Sequence, residues 1–165
     1  MRIFIAFFLL TFSAFCFSQK SLSALLKQYN DKSLPYISVQ ELAMHNTDAI
    51  ILDTREFEEY AVSHLKGAIY VGYDFFDIDT IINRIKDKGQ PIVVYCSLGI
   101  RSETIGEKLK EAGYKNVKNL YGGIFEWKNK GFEVYNSKEK ITDSIHAFSK
   151  TWSKWLKKGK PILLD

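Results

Sequence analysis

At 165 residues, a net charge of +4 and 46% hydrophobic content, the chain has the make-up of an ordinary globular domain. So small a positive balance argues against nucleic-acid binding. Two cysteines and three scattered histidines (His45, His64 and His146) give no metal-ligand spacing, so no metal or other cofactor is expected.

Arg2 precedes a nearly uninterrupted apolar run from Ile3 to Phe12, followed by Ser13, Ala14 and Ser18. A charged start, a short apolar core and a small-residue exit describe a secretory signal peptide over residues 1–18, cleaved after Ser18. The run is shorter than the roughly 20 apolar residues a spanning helix needs. The expected location is therefore outside the cytoplasm, periplasmic or secreted, with an uncleaved anchor as the alternative. Cys16 invites a lipoprotein reading, but Phe15 stands where such signals carry a small residue. Cleavage would remove Cys16 and leave Cys96 as the sole cysteine, with no intrachain disulfide and no resolving thiol.

Residues 19–36 read as an N-terminal extension. Leu22, Leu25, Leu26 and Tyr29 share one helical face, and Pro35 is expected to end the helix. A domain follows over residues 37–135. Ser38-Val39-Gln40-Glu41 is a capping-box pattern opening a helix that ends near His45. Ala49 to Leu52 is a continuous apolar run, as in a strand buried on both faces. Glu56 to Ala61 is helical in composition, Ala68 to Val71 is a short strand, and Ile78 to Ile85 has helical apolar spacing. Pro91 to Tyr95 is a third strand. Ser102 to Ala112 places Ile105, Leu109 and Ala112 on one helical face before Gly113 stops it, and Val117 to Leu120 is a last strand. Alternating strands and short helices imply an α/β fold in three layers, a mainly parallel sheet with helices on both faces. Such sheets bind ligands at the carboxyl ends of their strands.

Cys96 stands at such an end, opening the stretch Cys96-Ser97-Leu98-Gly99-Ile100-Arg101-Ser102. Gly99 permits a tight reversal, Ser102 suits an N-cap, and the following helix presents its positive end to the thiol. A free cysteine of pKa about 8.5 falls to roughly 3.5–7.5 in such electropositive sites. Arg101 adds a permanent cation. The expected product is a nucleophilic thiolate in an anion cradle. Phosphatases that pair a cysteine with an arginine separate them by five residues; Ser97 to Ile100 are four, and the smaller ring suits a single terminal sulfur.

These residues resemble the rhodanese family of sulfurtransferases. Ile51-Leu52-Asp53-Thr54-Arg55 with the acidic segment Glu56 to Tyr60 is similar to the family's first signature. His64-Leu65-Lys66-Gly67-Ala68-Ile69 is similar to its His-x-x-Gly-Ala turn, and Tyr121-Gly122-Gly123-Ile124-Phe125-Glu126-Trp127 to its closing segment. The resemblance implies a single-domain sulfurtransferase in which the Cys96 thiolate takes the outer sulfur of a donor and becomes a persulfide. The donor would be thiosulfate, a persulfide or a polysulfide, and a thiol or cyanide would then accept the sulfur. Backbone N–H groups from Ser97 through Ser102 would hold the anionic sulfur, and Arg101 would pair with the donor's sulfonate or an acceptor anion. Asp53 and Arg55 would act as supports, pairing with backbone or with each other, and the His64 ring would brace its turn. Ser97, Leu98 and Ile100 bring no positive charge, so weak thiosulfate:cyanide activity is expected. The alternatives are a rhodanese-fold module that carries sulfur or binds a partner without turnover and, disfavoured by the short loop, a phosphatase or arsenate reductase.

The tail, residues 136–165, carries Ile145, Phe148, Trp152, Trp155 and Leu156 at helical spacing, opposite Lys150, Lys154, Lys157, Lys158 and Lys160. This pattern predicts a basic amphipathic helix. It would either pack back on its own domain, the simpler expectation, or meet a membrane surface or protein partner.

Overall fold

The computed structural model describes residues 21–44 and 48–163. The segment expected to be a signal peptide, its expected cleavage point, Cys16 and His45 lie outside the described residues.

The sheet has five parallel strands: β1 (Tyr36–Ile37), β2 (Ile50–Asp53), β3 (Ile69–Tyr70), β4 (Ile92–Tyr95) and β5 (Val117–Leu120), in the order β1-β5-β4-β2-β3. The centre of the sheet is β4, and all four of its residues are buried. Its side chains alternate between two apolar clusters: Ile92 and Val94 in one, Val93 and Tyr95 in the other. The first cluster is closed by α4 (Ile78–Arg84) and α5 (Arg101–Glu111), through Ile81, Ile105 and Leu109. The second is closed by α1 (Leu22–Tyr29), α2 (Val39–Ala43) and α6 (Gly123–Asn129), through Leu25, Leu42, Ile124 and Phe125. A three-layer α/β fold results. The short helix α3 (Phe57–Val62) follows β2, and its Glu59 is buried.

The capping box opening α2 forms as read: Ser38 Oγ accepts from Glu41 N–H at 3.1 Å and Glu41 Oε2 accepts from Ser38 N–H at 2.9 Å. Two helix ends differ from expectation. The first helix stops at Asn30, well before Pro35, and Asn30 instead turns its amide inward to Gly99 O. Ser102 is not an N-cap; the helix already begins at Arg101, so the Ser102 side chain faces the sulfur loop from inside the first turn.

The tail departs further. In place of one amphipathic helix it forms β7 (Ile141–Thr142), paired antiparallel with β6 (Val134–Tyr135) at the end of the domain, β8 (Ser144–His146) paired parallel with β9 (Lys160–Ile162), and the single turn α7 (Lys150–Ser153). The physical reason is that Ile145 and Ala147, both 0% exposed, enter the second cluster from an extended segment beside α3. Trp152, Trp155 and Leu156 pack against the same cluster from the turn that follows. The tail therefore packs on its own domain, but as strands and one turn. Asn129 at the end of α6 fastens it, donating to Trp155 O at 2.9 Å and accepting from Lys157 N–H at 2.6 Å.

Candidate active site

Cys96 follows β4 directly and is 2% exposed. The carbonyls of Cys96, Ser97 and Gly99 are bonded to groups other than the sulfur. Ile124 and Phe125, in the first turn of α6, donate their N–H groups to Cys96 O (3.0 Å) and Ser97 O (3.2 Å). Gly99 O accepts from Asn30 Nδ2 at 2.7 Å and Asn119 Nδ2 at 2.9 Å. With its acceptors tied back, the loop turns donors to the thiol. Gly99 N–H donates to Sγ at 3.1 Å, and the Ser102 hydroxyl lies 3.6 Å from Sγ and 2.8 Å from Asn119 Oδ1. Burial alone would push the thiol up. The Arg101 charge, the N–H and hydroxyl of Ser102 and the N–H of Leu98 outweigh it, so Cys96 titrates below the ordinary cysteine range.

Arg101 stands at the first turn of α5, but its guanidinium is already engaged. Nη1 and Nη2 donate to the two carboxylate oxygens of Glu59 at 2.7 and 2.8 Å. Glu59 also accepts from Ser97 Oγ (3.1 Å) and Glu56 N–H (3.1 Å). Burial acts to raise the Glu59 carboxyl; the Arg101 pair, the Arg55 charge and the Glu56 N–H hold it below the usual range. Sequence reasoning missed Glu59 as well as Asn30 and Asn119. Of the three, only Asn119 carries a signal: it is a polar residue at a buried position of β5, where the other buried residues, Val117 and Leu120, are apolar.

Asp53 and Arg55 are both 0% exposed and form a buried pair, Nε to Oδ1 at 2.9 Å and Nη2 to Oδ2 at 2.6 Å. Arg55 also donates to Ser63 O at 2.6 Å, and Tyr95 Oη donates to Asp53 Oδ2 at 2.5 Å. Neither lines the pocket over Cys96. The pair ties the ends of β2 and β4 to the turn after α3. His64 stacks on Tyr60 and reaches Tyr60 O and Glu139 Oε1, both at 3.1 Å.

A cavity of about 150 Å³ opens over Cys96. Its floor is the loop, with Leu98, Ile100 and Arg101 around the thiol, and its wall is Phe148 and Trp152 from the tail. The Phe148 ring lies 5.2 Å from the Arg101 guanidinium carbon. Just before it, His146 stands 3.9 Å from Glu59 Oε1, its Nδ1 accepting from Phe148 N–H at 3.2 Å. Burial lowers the His146 pKa, Glu59 opposes this, and Arg55 and Arg101 reinforce it, leaving the value below the usual one. Among the described residues no cluster of His, Cys, Asp or Glu is arranged to hold a metal ion.

The family model of the Rhodanese-like domain matches residues 38–130. The thiosulfate sulfurtransferase GlpE of Coxiella burnetii is 30% identical over 97 residues, 59% of this chain and 87% of that protein. The tRNA uridine(34) hydroxylase of Hamiltonella defensa is 36% identical over 97 residues, 56% of this chain; the match spans only 27% of the hydroxylase. Among solved structures, a thiosulfate sulfurtransferase from Pseudomonas aeruginosa superposes with a TM-score of 0.58 at 23% identity, over 74% of this chain and 23% of that one. The rhodanese-like domain of an Anabaena protein superposes with a TM-score of 0.55 at 24% identity, over 62% of this chain and 79% of that one. These two likenesses speak to the fold.

Proposed function

The chain belongs to the rhodanese-like family, and from that premise we propose that it is a sulfurtransferase working through a persulfide on Cys96. The observation that carries this reading is the convergence of donors on one thiol at the end of the central strand. The Gly99 N–H lies 3.1 Å from Sγ, and the carbonyls of Cys96, Ser97 and Gly99, which would repel an anion, are bonded elsewhere. The thiolate attacks the outer sulfur of a sulfane donor, the bond to the donor breaks, and its electron pair leaves with the donor. With thiosulfate the leaving group is sulfite. The terminal persulfide sulfur then occupies the same donor cradle, as an oxyanion does in acyl transfer. A thiol or cyanide removes it in the second half-reaction.

GlpE is the better whole-length comparison, since this chain covers 87% of it and only 27% of the hydroxylase. The segment shared with the hydroxylase is of rhodanese-domain length. Export of the chain belongs to the same proposal and rests on the apolar run near its start.

The test is intact-protein mass spectrometry after brief exposure to thiosulfate and to polysulfide, beside Cys96→Ser. One added sulfur on the native protein alone, removed by cyanide with turnover, is the expected result. A stable adduct that no acceptor discharges would favour the carrier reading, and no adduct from either donor would sink sulfur transfer.

A further inference from the structure

The wall of the Cys96 cavity comes from outside the segment that matches the family model. Phe148 and Trp152 belong to the tail, beyond residue 130, yet they close the space directly over the thiol. Together with Leu98 and Ile100 they make that space apolar. At about 150 Å³ it is the size of an apolar cavity that holds one benzene.

Charge points the same way. Arg101 is the loop's only cation, and both its terminal nitrogens are bonded to the Glu59 carboxylate. Its face is covered by the Phe148 ring. With Arg101 and Glu59 cancelling, the thiolate leaves the site with a net negative charge, which repels a dianionic donor and tolerates a donor of lower charge.

Phe148 is also held in place at a cost. Its φ is +60°, in the left-handed region where a bulky side chain is strained. The residue is 56% exposed, so its own burial does not drive it there. The His146 acceptor fixes its amide, and Tyr29 of α1 braces the neighbouring Trp152 edge-on, ring centroids 6.1 Å apart.

We propose that the sulfur donor is a small apolar organic persulfide, R–S–SH, whose R group of benzene size seats against Leu98, Ile100, Phe148 and Trp152. This rests on the persulfide reading above and names its substrate class. The Cys96 thiolate attacks the outer sulfur, a new S–S bond forms, and the old one breaks with its electron pair leaving as R–S⁻. The proton stays on the transferred sulfur, and no oxidant or reductant enters.

Stable probes of matched chemistry are benzenethiosulfonate and methanethiosulfonate, both monoanions, and thiosulfate, a dianion. In each the thiolate takes the terminal sulfur and releases a sulfinate or sulfite. Single-turnover persulfide formation on the full chain is followed by mass spectrometry, with each rate divided by that of free cysteine. We expect benzenethiosulfonate to exceed each of the other two by tenfold or more. In Phe148→Ala the benzene-to-methane ratio should fall at least fivefold, and likewise in Trp152→Ala, or in Trp152→Leu if the smaller residue unfolds the tail. Ratios near unity in the native protein, or unchanged in the variants, overturn the inference while leaving sulfur transfer standing. No persulfide from any donor overturns both.

Discussion

The reactivity of Cys96 is decided by the residues nearest its sulfur, and the effects oppose one another. Burial disfavours the thiolate, while the Arg101 charge and hydrogen bonds from the loop and from Ser102 favour it and prevail. Removing the cation should reverse the balance. In Arg101→Gln the thiol pKa rises, so the pH profile of alkylation by iodoacetamide moves to higher pH. The midpoint of that profile should rise by roughly one unit or more, the usual size of the shift when a neighbouring opposite charge is lost. An unmoved profile would assign the lowered pKa to the loop's N–H groups alone. At this scale Cys96 and Arg101 were legible from the loop that follows an apolar strand, and Asp53 and Arg55 only through the resemblance to the rhodanese family. Glu59 was not. It is one of three acids in Glu56-Phe57-Glu58-Glu59, and what singles it out is a partner 42 positions away.

The loop keeps its shape because three elements grip it: β4 leads in, α5 leads out, and the first turn of α6 holds its carbonyls. Two glycines make that close approach feasible. Gly99 has φ +98°, and a Cβ there would stand 3.1 Å from Leu120 O. At Gly123 a Cβ would fall 2.1 Å from Cys96 O, inside the contact that anchors the loop. Gly99→Val should therefore abolish persulfide formation while costing the fold only about 1–3 kcal/mol, the usual size of one strained backbone position. Circular dichroism and thermal melting of the variant check the second half of that statement. A variant that still forms persulfide at the native rate would overturn the cradle. Gly99, the apolar strands β2 and β4 and the helices α1, α2, α4 and α5 were readable from local pattern, whereas α6 was not read as a helix and Gly123 entered only through the resemblance to the rhodanese family. The two-residue strands β1 and β7 carry none, whereas β3 was read from the apolar stretch Ala68 to Val71 around it. In the tail the helical stripe misled: Ile145 and Ala147 are buried from an extended segment, so burial among distant neighbours overrode the local period.

At the scale of the whole molecule, the segment that matches the family is not the whole unit of stability. Ile145, fifteen residues beyond the matched segment, is fully buried with Phe125, Val134 and Ala147 in the second cluster. Cutting such a side chain back leaves a cavity, and Ile145→Ala should cost about 2–5 kcal/mol. That is a large part of the roughly 5–15 kcal/mol that holds a domain folded. Deleting residues 143–165 removes this contact, the Asn129 clasp and the wall over Cys96 together. The truncated chain should melt at much lower temperature and be cut readily by protease, and any persulfide it forms should show no preference for the aromatic donor. A tail that only decorated a finished domain would predict the opposite, an unchanged melting temperature with the native rate and selectivity. The two outcomes separate cleanly because the tail supplies both a piece of the core and a face of the pocket: Ile145 is fully buried three residues before Phe148, which lines the pocket over Cys96. Substrate choice and folding are thereby linked in one stretch of chain.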